Sequence, residues 1–116
     1  MEKPALVRRA DPETRFALWQ NVPNPFTART LFAFSIPGPA WVKLALFDLK
    51  ENRVGILFQG ILQAGHYQLD WDGKGADGQR LRNGCYSYML ESEGFLAVRK
   101  LTLLPGKEDG WEDFNT

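Results

Sequence analysis

The sequence predicts an all-β, immunoglobulin-like (fibronectin-III-like) antiparallel β-sandwich of about seven strands. Three observations predict it. From Phe16 to Leu104 the chain is a series of short runs rich in β-branched and aromatic residues that alternate apolar with polar. Clusters of Gly, Pro, Asn and Asp interrupt these runs about every ten residues. No stretch sustains an apolar stripe at the helical period. A chain of 116 residues buries roughly two-thirds of its unfolded surface, enough for one core without staples.

The first extended piece is Phe16 to Gln20, which runs into Asn21-Val22-Pro23-Asn24-Pro25-Phe26. Two prolines there fix φ and remove donors, as at an edge strand and its exit loop. Leu31 to Ile36 puts Phe32, Phe34 and Ile36 on one face and is stopped by Pro37-Gly38-Pro39. Trp41 to Leu49 follows with Val42, Leu44 and Leu46 together, and Asp48 to Asn52 supplies a hairpin turn. Arg53 to Gln59 returns with Val54, Ile56 and Phe58 expected on one face. His66 to Trp71 sets Tyr67, Leu69 and Trp71 against His66, Gln68 and Asp70. A glycine-rich turn spans Asp72 to Asn83; then Cys85 to Glu91 aligns Tyr86, Tyr88 and Leu90, and Phe95 to Leu104 closes the sheet. Residues 15–105 are thus expected to form the domain. Residues 1–14 and the acidic-aromatic residues 106–116 are expected to be tails, because neither shows periodicity.

Fourteen Lys plus Arg balance fourteen Asp plus Glu, so no net field exists to hold a polyphosphate, and nucleic acid is not an expected partner. The basic pairs Arg8-Arg9, Arg80/Arg82 and Arg99-Lys100 are scattered among acids and read as solvated faces. A single cysteine, Cys85, excludes an internal disulfide. No signal-peptide pattern and no apolar run of about 20 residues is present, so direct membrane insertion is not expected. The expected location is cytoplasmic, unless the chain is a fragment or leaves the cell without a cleavable signal.

Asn24-Pro25-Phe26, Phe47-Asp48-Leu49, Ala64-Gly65-His66, Trp71-Asp72-Gly73, Asp77-Gly78, Leu81 and Asn83-Gly84-Cys85-Tyr86-Ser87-Tyr88 occur in an order that resembles a known family. It is the Ig-like domain of the flagellar hook-capping protein (FlgD type), closely similar to the C-terminal sorting domain of type IX secretion cargo. The resemblance covers about residues 19 to 104. It implies a seven-stranded sandwich used for assembly, anchoring or display, with no catalytic residues to carry over. A hook-capping protein is expected to carry an assembly region before this domain and a sorting domain to end close after its last strand, so neither full pattern is expected of these 116 residues. The expectation is a stand-alone protein that reuses the module, with an excised fragment of a longer protein as the alternative.

Candidate chemistry is sparse. His66, the lone histidine, and Cys85 lie on different strands, so a nucleophile pair is weaker than a turn hydrogen bond and a small packed side chain. No hydrolase or zinc spacing is present. Asp70, Asp72 and Asp77 in a glycine-rich stretch are weak candidates for Ca²⁺, but Lys74 takes a ligand position, the closing Glu is missing, and Asx-turns account for the same residues. No cofactor is expected.

For partner binding the candidates are Trp41, Trp111, Phe114, Phe16 and Trp19. Trp111 and Phe114 sit in an acidic segment able to order on a partner. The expected function is therefore a non-catalytic protein–protein interaction or assembly module. The alternative is a sorting or anchoring domain for secretion to the bacterial cell surface; a small calcium-binding or enzymatic domain ranks below both. Open sheet edges also allow homo-oligomers, including exchange of the Phe16 to Gln20 strand.

Overall fold

The computed structural model describes residues 6–10 and 15–105. They form two four-stranded antiparallel sheets packed face to face, an Ig-like sandwich. The strands are β1 (Leu6–Arg9), β2 (Ala17–Leu18), β3 (Thr30–Ile36), β4 (Ala40–Phe47), β5 (Arg53–Leu62), β6 (Gly65–Trp71), β7 (Gly84–Ser92) and β8 (Phe95–Leu103). The first sheet has the order β1-β6-β3-β2 and the second β5-β4-β7-β8.

Strict alternation places the core. Phe32, Phe34 and Ile36 of β3, Tyr67, Leu69 and Trp71 of β6, Val42, Leu44 and Leu46 of β4, and Tyr86, Tyr88 and Leu90 of β7 all point between the sheets and are buried. Aromatic rings interlock there: Phe32 meets Trp71 at 5.7 Å and Tyr88 edge-on at 4.7 Å. The Asn-Pro-Phe loop inserts Phe26 beside Trp71 at 5.7 Å and closes that end of the sandwich.

Polar groups taken inside are paired. Asn21, 1% exposed, donates from Nδ2 to Thr30 Oγ1 at 2.9 Å and to the Pro23 carbonyl at 3.2 Å. The Tyr88 hydroxyl accepts from the Asn21 amide at 2.8 Å and donates to the Trp19 carbonyl at 2.9 Å. A side chain of the second sheet thereby latches the exit from β2 in the first. Burial and loss of water hold the Tyr88 hydroxyl above its usual pKa. At the β4–β5 turn, Asp48 Oδ1 accepts from the Lys50 and Asn52 amides, each at 2.9 Å, which holds its carboxyl below the usual range. Glu51 in that turn has φ 67°, the left-handed conformation.

Two expectations are corrected. Residues 1–14 were expected as a tail, yet Leu6–Arg9 form an added strand on the edge of β6, because four amides in extended conformation find an unpaired backbone there. This strand is the eighth. In β5, Val54, Ile56 and Phe58 do not share a face: Ile56 is 41% exposed, whereas Leu57 is buried. The register against β4 shifts between Leu44 and Ala45 and again between Leu46 and Phe47, so the extra residues turn Leu57 and Val54 inward. Residues 106–116 lie outside the described residues.

Candidate functional site

An antiparallel sandwich offers partners its sheet edges and its outer faces. The edge strands here are β1 and β2 in the first sheet, β5 and β8 in the second. The second half of the β8 edge is occupied from within. Gln20 Nε2 donates to the Lys100 carbonyl at 2.6 Å, Asn24 Oδ1 accepts the Thr102 amide at 2.9 Å, and Phe26 bonds through its own backbone to Thr102 and Leu104. The start of β5 is covered in the same way, as the Ala76 amide reaches the Val54 carbonyl at 3.3 Å, and two register shifts twist this strand.

The outer faces differ in chemistry. On the first sheet the outward positions of β6 are His66, Gln68 and Asp70. On the second, pairing brings Ile56, Ala45, Met89 and Val98 into one row across all four strands. The next row is Gln59, Lys43, Glu91 and Leu96, and Trp41 lies opposite Ile61 beyond it. Leu96, Val98 and Ile61 are 61%, 57% and 74% exposed, whereas Ala45 within its row is 1% exposed. A shallow apolar band therefore crosses the second sheet, with Lys43 and Glu91 as cross-strand neighbours of opposite charge.

The sequence-derived partner candidates separate. Trp41 belongs to this band and is half-buried. Phe16 stacks on Phe95 at 4.8 Å with the rings 11° apart, joining the two sheets at their margin. Trp19, 42% exposed, lies on the opposite side of the molecule with its ring 5.5 Å from that of His66. Trp111 and Phe114 lie outside the described residues. Ile56, Met89, Leu96 and Val98 were not singled out from the sequence.

The aspartates do not converge. Asp70 pairs with Arg29 at 3.0 Å, raising the Arg29 pKa. Asp72 Oδ1 accepts the Lys74 amide at 3.2 Å and Asp77 Oδ1 the Gln79 amide at 2.9 Å, both Asx-turns. Among the described residues no three His, Cys, Asp or Glu side chains gather as a metal-ion group. His66 and Cys85 stand in different sheets, and Cys85 is exposed with its Sγ 3.6 Å from Thr102 Oγ1. Among the described residues no helix is long and apolar enough to cross a membrane.

Residues 21–94 match the FlgD Ig-like domain family. The chain belongs to this family. The match runs from the Asn21 latch through the last turn before β8, and so includes both the Asn-Pro-Phe loop and the Trp-Asp-Gly turn. No curated protein sequence matches the chain. Among solved structures, the FlgD-type domain is similar to part of dimeric latent PorU from Porphyromonas gingivalis, with TM-score 0.63 and 17% identity over 80% of this chain and 9% of that one. It is also similar to part of PorZ of the same bacterium, a surface component of the type IX secretion system, with TM-score 0.55 and 13% identity over 86% of this chain and 16% of that one. At these identities the likeness is one of fold, and the chain spans a small fraction of either protein.

Proposed function

We propose that this FlgD-type domain is a non-catalytic interaction module that docks on a larger protein through the outer face of the β5-β4-β7-β8 sheet. The observation that carries the reading is the row Ile56, Ala45, Met89, Val98, whose two ends Ile56 and Val98 are exposed, with exposed Leu96 in the next row and exposed Ile61 beyond that. The whole outer face, four strands of about nine residues with polar as well as apolar rows, is roughly 500 Å² in plan, on the scale of one side of a standard interface, roughly 800 Å² of accessible surface. Contiguous exposed apolar patches rimmed by polar residues mark interaction surfaces. The occupant of this face is a partner protein with an apolar patch edged by both charges, since Lys43 and Glu91 stand side by side within the face. No cofactor enters this reading, and none of the site residues is assigned a chemical step.

The test compares wild-type chain with Val98→Glu and Leu96→Glu in affinity capture from the source cell, with thermal melts run beside it. The expected result is one stoichiometric protein captured by wild type and lost with either variant, while the melting temperatures stay within a few degrees. Equal capture by all three overturns the assignment of the face.

A second reading, export or anchoring at the bacterial surface, is supported by the fold shared with PorU and PorZ. Fusion of the chain behind an exported reporter tests it. Reporter held at the cell surface supports the reading, and reporter released or retained inside removes it.

A further inference from the structure

β1 pairs with β6 alone, and how it does so describes a binding site. Its four residues align Leu6, Val7, Arg8 and Arg9 with Leu69, Gln68, Tyr67 and His66. Leu6 is half-buried against the core, whereas Val7, Arg8 and Arg9 are exposed. The Arg8 guanidinium reaches past the end of the strand and donates from Nε and Nη2 to the Ala64 carbonyl, at 3.1 and 2.7 Å. Gly65 makes room for this clamp: a Cβ there would lie 2.9 Å from the Arg9 carbonyl oxygen and 3.2 Å from Arg8 Nε. The β6 edge thus offers a ladder of backbone groups, an apolar notch for one side chain, and a doubly hydrogen-bonded seat for an arginine two residues later.

Retention of β1 in this place is weak. Three of its four side chains, Val7, Arg8 and Arg9, are exposed. The register puts Arg9, His66, Ser35 and Ala17 in one row, so Arg9 and Ala17 stand three strand spacings apart, about 14 Å. Eight residue steps span up to roughly 25 Å, so chain length alone does not require β1 to lie on this edge. An extended segment with the same pattern has the same contacts available and competes for them.

We infer that the β6 edge is a strand-acceptor site for an extended basic segment of a partner protein, of pattern apolar-any-Arg, which the chain's own Leu6–Arg9 occupy in its absence. Specificity lies in two places. Backbone pairing is indifferent to sequence, while the notch beside Leu69 and the Ala64 carbonyl select the apolar residue and the arginine. This site is independent of the outer face proposed above.

The experiment uses the full chain and a labelled peptide, Ala-Leu-Val-Arg-Arg-Ala, the sequence of residues 5–10. Binding is read by fluorescence anisotropy to wild type and to Leu6→Asp/Arg8→Ala, in which the resident strand is weakened. The peptide should bind the double variant at least tenfold more tightly than wild type. Alanine in place of the first arginine of the peptide should cost about tenfold. Amide shifts on binding should fall on Ala64–Leu69 of β6. Wild type gives the same peptide map at higher concentration, so instability of the double variant does not blunt the test. Absence of binding to both proteins at millimolar peptide, equal binding of the alanine peptide, or shifts confined to the β5-β4-β7-β8 face would each overturn the inference.

Discussion

Replacing Tyr88 by Phe removes one oxygen from the centre of the molecule and leaves the ring in place. In the wild type that hydroxyl is fully buried, accepts the Asn21 amide at 2.8 Å and donates to the Trp19 carbonyl at 2.9 Å. Stranding a buried polar group costs about 1–3 kcal/mol. Asn21 is 1% exposed, so its amide bears that penalty nearly in full; Trp19 is 42% exposed, so its carbonyl regains water more easily. The sum is about 2–3 kcal/mol, a loss of roughly 8–15 °C in melting temperature for a domain of this size. Urea unfolding followed by tryptophan fluorescence measures it, with an unchanged slope expected because the exposed surface does not change. Tyr86→Phe is the control, since its hydroxyl donates to the Arg82 carbonyl beside an exposed turn. A Tyr88→Phe loss below about 0.5 kcal/mol, or one no larger than that of Tyr86→Phe, refutes the idea that the latch joins the sheets.

Three further outcomes follow. Burial raises the pKa of both Tyr86 and Tyr88 above the ordinary value of 10.0, so their neutral forms favour the fold; stability is complete below pH 10.0 and falls as pH rises through the folded values, seen as a dropping urea midpoint that Tyr88→Phe flattens. Glu51→Gly relieves a side chain held at φ 67° and should add about 0.5–1 kcal/mol by the same assay. Phe16→Ala removes a ring stacked at 4.8 Å on Phe95 at the margin of the core and should cost about 1–2 kcal/mol, with the first sheet's edge exchanging amide hydrogen fastest.

Most of the fold was legible because the sandwich core obeys a period of two. Phe32-Phe34-Ile36, Tyr67-Leu69-Trp71 and Tyr86-Tyr88-Leu90 announce their inward face without knowledge of their neighbours, and each is buried as expected. β5 broke the rule because bulges are set by the partner strand: nothing within Arg53–Leu62 says that Leu57 will be the extra residue opposite β4. β1 was missed for a related reason. Leu6-Val7-Arg8-Arg9 has no alternation of its own, and its strand exists only because β6 holds an open edge and Gly65 admits the arginine.

The candidate face was half-legible, and the missing half was register. Outward positions can be read from alternation alone: they are Leu96 and Val98 in β8 but His66, Gln68 and Asp70 in β6. That contrast already separates a polar outer face from an apolar one. A single exposed Val or Leu carries little meaning, since most protein surfaces hold several. What makes Val98 informative is that Met89, Ala45 and Ile56 line up with it, and residues from four strands meet in one row only once pairing is known. The closing of the β8 edge has the same origin. Gln20 and Asn24 look like ordinary loop amides until they are found on Lys100 and Thr102, 80 and 78 residues away. With the second half of that edge closed from within and the start of β5 covered, the two surfaces proposed for a partner are the apolar face and the strand on β6, and the peptide and glutamate variants address these two separately.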